Sequence, residues 1–165
     1  MVNNENYRRL KNKGKHKCFG CSPINDSGLK MEFFTDEKSV FSNITVPEHM
    51  CGWNNLVHGG IISTILDEIM GWTAIYRLRS FILTKSINID FLKPISIGQE
   101  LKVEGKMIEI VSPREARMEG LIYNKEKDLC AKGTGTFAVF TLDAAKKLPV
   151  VNDELLKSIE RFVDA

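Results

Sequence analysis

Residues 58–78 read HGGIISTILDEIMGWTAIYRL, and this stretch constrains the fold more than any other. Its apolar residues fall on nearly every face of a helix, and such a helix belongs inside a protein. At 1.5 Å per residue it spans roughly 30 Å, enough to cross a whole small sheet. Two features are out of place in a plain core helix. It opens on Gly59-Gly60, and it carries Asp67 and Glu68 in its middle. Glycine is a poor helix residue but lets a ligand approach the backbone closely. The free amides of a helix start attract negative charge. A carboxylate in apolar surroundings is costly unless it has a partner or a chemical task. Together these predict an oxyanion-binding helix start and a buried acid or base.

The flanking pattern supplies strands. LKMEFFT (29–35) and SVFSNITV (39–46) precede the helix, separated by Asp36-Glu37-Lys38. A strand over about 82–92 follows, ended by Lys93-Pro94, since proline cannot donate to a central ladder. A second runs from Gly98 to about Val111, where Ile108 and Ile110 break the alternation and predict a bulge or a strong twist. Residues 114–123 and 129–140 make a hairpin around NKEKD. Asn152 is placed to cap a last helix whose apolar stripe is Leu155, Leu156, Ile159, Phe162 and Val163. Asn54 or Asn55 is placed to cap the long helix. Two strands, one buried helix and four strands in long hairpins give an α+β pattern, helix against antiparallel sheet. With 165 residues, 43% hydrophobic and 27% charged, the chain suits a single packed domain.

VHGGIISTILDEIMGW (57–72), followed by TKSINIDFLKPISIGQELKVEG (84–105), resembles the hotdog-fold acyl-CoA thioesterases, the phenylacetate-degradation type above all. The segment CFGCSPINDSGLKMEFF (18–34) is similar to the opening segment of a subset of that family. The combination is specific: His-Gly-Gly, an Asp nine residues after the His, then N-x-x-F-L-x-P-x-x-x-G. The resemblance implies an antiparallel sheet wrapped around a long central helix. With the charge of the first residues and the capped stripe of the last, the chain divides into a basic flexible arm (1–17), a hotdog domain (18–145) and a C-terminal helix (146–165). The resemblance implies hydrolysis of an acyl-CoA thioester to the free acid and CoA, without a cofactor.

Gly59 and Asp67 are eight residues apart, about 12 Å along one helix. An oxyanion donor and an acid acting on one carbonyl must both lie within about 3 Å of the reacting atoms. One helix cannot place both there, whereas two antiparallel copies about a twofold axis can. The site is therefore expected to be shared across a homodimer, and the family implies a homotetramer.

The expected roles follow. The Gly59 N–H is the oxyanion donor, and Asp67 is the nucleophile or the general base. Glu68 lies about 100° further around the helix, so only one of the two acids should face the site, and the resemblance selects Asp67. His58 either orients the loop or touches substrate. Thr84 falls where the family carries a Ser or Thr that holds the water or the acid. Gly60 and Asn55 are assigned to substrate binding. Gly52 is a departure, standing where many members carry Asn.

His16, Cys18, Cys21, His49 and Cys51 have ligand types and local spacing suitable for zinc. No second C-x-x-C exists, the ordinary reading is packed thiols, and no metal is assigned. Residues 1–17 hold six Lys and Arg against Glu5 alone, a solvated tail or an arm for the phosphates of a nucleotide-bearing ligand. Net charge is +2, so no nucleic-acid partner is expected. The sequence shows neither a membrane span nor a leader, which points to the cytoplasm and reduced thiols. The alternative reading is a noncatalytic acyl-CoA-binding module or ligand sensor. A hotdog hydratase or dehydratase fits the motif less well.

Overall fold

The structure, a computed structural model, describes residues 7–12 and 15–163, the side chains at 159 and 161–163 aside. Seven strands form one antiparallel sheet: β1 (Arg8–Arg9), β2 (Phe34–Thr35), β3 (Val40–Thr45), β4 (Phe81–Phe91), β5 (Glu100–Ser112), β6 (Glu115–Tyr123) and β7 (Leu129–Phe140). Their spatial order is β1-β2-β3-β5-β6-β7-β4, so β4 is an edge. The long helix α1 (Gly59–Leu78) lies across it, followed in sequence after β7 by α2 (Leu142–Ala145) and α3 (Asp153–Val163). This is the α+β architecture that the apolar helix and the hairpins predict.

A row of glycines seats the helix. Gly105, Gly120 and Gly133 are direct cross-strand partners on β5, β6 and β7. A Cβ on Gly105 would lie 2.1 Å from Thr73 Oγ1, and one on Gly120 would lie 3.1 Å from both Ile69 and Leu66. The row is thus a furrow without side chains, and α1 lies in it with Ile65, Leu66, Ile69 and Met70 fully buried. Close packing of this kind maximises dispersion contacts along the helix.

The bulge expected near Ile108 is present, as register shifts between Met107 and Glu109 and again between Ile110 and Ser112. Asn152 caps α3, its Oδ1 accepting from Leu155 N at 2.8 Å. The outer part of the expected α3 stripe, Ile159, Phe162 and Val163, lies outside the described side chains.

Three features differ from the sequence reading. Only Phe34–Thr35 of the 29–35 segment joins the sheet. Lys30 has φ 51°, and Met31 N and Phe33 O bond to Gly20 O and Leu10 N, so the first half is tied to the preceding loop. Met31 and Phe33 still point into the core. The cap of α1 is His58 rather than Asn54 or Asn55. Part of the basic segment is held: Arg8 and Arg9 pair with Thr35 and Phe34, and Leu10 is buried. Residues 1–6, 13 and 14 of that segment lie outside the described residues. Among the described residues no helix is long and apolar enough to cross a membrane.

Candidate active site

The start of α1 fixes which backbone donors are available. His58 is extended (φ −61°, ψ 137°), and its Nδ1 accepts from Gly60 N at 2.9 Å. His58 O accepts from the amides of Ile61 and Ile62. The Gly59 N–H is the first-turn amide with no acceptor among the described residues. The geometry therefore separates the two glycines: Gly59 keeps a free donor at the positive end of the helix, while the Gly60 donor is used by the cap. The Phe91 ring would stand 3.7 Å from a Cβ on Gly59, so an edge-strand aromatic flanks this donor.

His58 is thus an orienting residue here, holding the turn into α1. Gly52 packs behind it, where a Cβ would come within 3.1 Å of His58 Cα. That crowding gives a physical reason for a small residue at position 52. Asn55 is exposed, and its carbonyl accepts from Ile97 N at 2.8 Å.

Two turns further along α1, Asp67 is half-buried at the wall of a cavity of about 260 Å³. Thr84 Oγ1, from β4, donates to Asp67 Oδ1 at 2.8 Å. Trp72, Ile75 and Ile82 supply apolar wall. A larger depression of about 570 Å³ lies by Arg9, Leu10 and Glu32, but its acid is already paired to Arg9. Burial pushes the Asp67 carboxyl above its ordinary value, the Thr84 bond pulls it down, and charge on Cys18 adds to the rise. A base with a raised pKa is better matched to proton abstraction near neutral pH. His58, Gly59 and Gly60 do not line this cavity.

Glu68 also lines it, contrary to the expectation that one acid alone would face the site. On the helix alone the two acids diverge by about 100°. The turn at residues 18–21 folds over α1 and widens the enclosed surface to take in both carboxylates. Glu68 is pushed up to about 8 by burial, with Cys18 adding to the effect. Cys18 falls to about 5, chiefly through its hydrogen bond with the Cys21 thiol. Cys21 moves up for the reciprocal reason and through burial. Glu68 Oε1 and Cys18 Sγ are hydrogen-bonded at 3.1 Å. C-x-x-C was the sequence signal for this cluster, but nothing local in the sequence says that Glu68 meets it. His49 and Cys51 are exposed and stand outside it.

Residues 54–131 match the thioesterase superfamily. The chain has the hotdog fold of that superfamily. The PaaI protein of the E. coli phenylacetic acid degradation operon superposes with a TM-score of 0.62 at 19% identity, covering 68% of this chain and 80% of that one. Protein smu.793 of Streptococcus mutans UA159, solved bound to acetyl CoA, gives 0.60 at 24%, covering 67% and 89%. The chain is 29% identical over 91 residues to acyl-coenzyme A thioesterase THEM4 of Rattus norvegicus, covering 51% of this chain. It spans 39% of the length of the curated relatives it matches. In this hotdog domain the matched segment holds α1, Thr84 and two of the three furrow glycines, Gly105 and Gly120, while Gly133, Cys18 and Cys21 lie outside it.

Proposed function

We propose that this hotdog domain hydrolyses an acyl-CoA thioester to the free acid and CoA, at a site formed by two copies of the chain. The observation that carries the reading is the Asp67–Thr84 pair at the cavity wall. Thr84 engages one carboxylate oxygen and leaves the other for an attacking water or for the carbonyl carbon. The relatives agree in class: one is an acyl-CoA thioesterase, another was solved bound to acetyl CoA.

The oxyanion that forms on attack needs a fixed donor, and Gly59 has the free amide. Within one chain that amide is about 12 Å from Asp67 along α1. Gly59 of one copy therefore serves the carbonyl that Asp67 of the other attacks or hydrates. The free edge of β4 is the surface for the second copy, because an unpaired edge is a template for another strand. Phe91 and Leu83 are exposed on that strand. Two such dimers associate further into a tetramer. Its four unpaired cysteines suit a reducing compartment such as the cytoplasm.

The test is CoA release from short, medium, long-chain and aryl acyl-CoAs, with Asp67→Ala run alongside. Turnover on one class that falls by about 10²–10⁴ in the variant supports the hydrolase. Acyl-CoA binding without release anywhere in the panel replaces it with a noncatalytic binding module.

A further inference from the structure

We propose that Cys18, Cys21 and Glu68 form a binding site for a zinc-class divalent cation beside Asp67. The thiol sulfurs and a Glu68 carboxylate oxygen all lie within 4.8 Å of one another. Two sulfurs and one carboxylate oxygen suit zinc, whereas Mg²⁺ and Ca²⁺ prefer oxygen throughout.

The support around the three is that of a prepared site. Cys18 Sγ and Glu68 Oε1 are already in contact at 3.1 Å, so two of the three ligand atoms are held together by the fold. Contacts of this kind orient ligands. Gly20 lets the turn seat directly on the acid, since a Cβ there would lie 2.1 Å from Glu68 Cγ. The loop is stapled on both sides. Ser22 Oγ donates to His16 O at 2.6 Å, Asn12 Nδ2 to Cys21 O at 2.5 Å, and Met31 N to Gly20 O at 3.0 Å.

Among the described residues no Lys or Arg is ion-paired to Glu68 or Asp67. His16 does not complete the set: its Nε2 meets Asn12 Oδ1 at 2.7 Å, and its Nδ1 accepts from Cys18 N at 3.4 Å. Three protein ligands leave the fourth position of a tetrahedral ion for water or for a ligand in the Asp67–Thr84 cavity. The site does not depend on the thioesterase reading.

The test uses the full chain, reduced and stripped with a chelator, then titrated with Zn²⁺ or Co²⁺ alone. One ion per chain is expected, with thiolate-to-cobalt charge-transfer bands. Cys18→Ser and Cys21→Ser should each abolish the bands, and Glu68→Gln should weaken zinc binding by roughly tenfold or more. Cys51→Ser should bind as the parent does. A second measurement avoids variants: zinc should protect Cys18 and Cys21 of the unaltered chain from alkylation and leave Cys51 reactive. Absence of charge-transfer bands, equal alkylation with and without zinc, or undiminished zinc affinity in Glu68→Gln would each overturn the three-ligand site.

Discussion

Thr84 Oγ1 on the edge strand β4 donates a 2.8 Å hydrogen bond to Asp67 Oδ1 in the middle of α1. The bond stabilises the charged carboxylate against the burial that disfavours it. Asp67 must be ionised to act as base or nucleophile. Thr84→Val keeps the shape and removes the donor, so the Asp67 pKa rises. The acid limb of the pH profile of kcat/KM should then move to higher pH, and the loss should be largest at the acid end. Profiles recorded on chelator-treated parent and variant decide it, and an unmoved acid limb removes Thr84 from this role.

Gly59→Pro separates donor from fold. Proline at the first helical position is well tolerated because its missing N–H has no helical partner there. The residue before proline must be extended, and His58 is, with ψ 137°. A Cβ on Gly59 meets nothing closer than the Phe91 ring at 3.7 Å. The variant should keep the melting temperature of the parent and lose about 10²–10³ in kcat, the usual effect of deleting an oxyanion donor. Unchanged kcat in a folded variant would sink the Gly59 assignment.

Much of the fold was legible because its signals are local. The apolar run of α1, the end of β4 before Lys93-Pro94 and the parity break at Ile108 can each be read within a window of residues. The segment 29–35 failed because alternation shows which side chains are buried and not whether the backbone has a ladder partner. Met31 and Phe33 are buried as a strand would bury them, yet their backbone bonds go to the loop at Gly20 and Leu10. In the site, Asp67 and Thr84 came from the resemblance, and the structure brings them together. Glu68 was set aside by helix geometry because the element that encloses it is distant in sequence. His58 as the cap was missed because Asn is the stronger capping type, whereas here the imidazole reaches the Gly60 amide.

One glycine of the furrow and one of the helix that lies in it give stability predictions of opposite sign. Gly105→Ala would drive a methyl group to 2.1 Å from Thr73 Oγ1 and 2.8 Å from Ile69 O, the latter being backbone that cannot swing away. Overpacking of this kind should destabilise the chain by about 1–3 kcal/mol. Gly71 sits inside α1 with nothing nearer than Ile82 Cδ1 at 3.7 Å. Gly71→Ala should stabilise by about 0.5–1 kcal/mol through helix propensity alone. Urea denaturation of both variants measures the pair, and a neutral Gly105→Ala would mean that the furrow does not set the helix depth.

The shared site can be tested by pairing two dead chains. Gly59→Pro lacks the donor but keeps Asp67, and Asp67→Ala lacks the acid but keeps Gly59. If each site takes Gly59 from one copy and Asp67 from the other, a mixed dimer holds one intact site and one doubly broken site. Random co-assembly of equal amounts makes half the dimers mixed, so about a quarter of the parent turnover should return. A site contained in one chain would give no recovery, because every copy carries a lesion. Co-refolding the two variants and measuring CoA release separates these outcomes, with each variant refolded alone as the baseline.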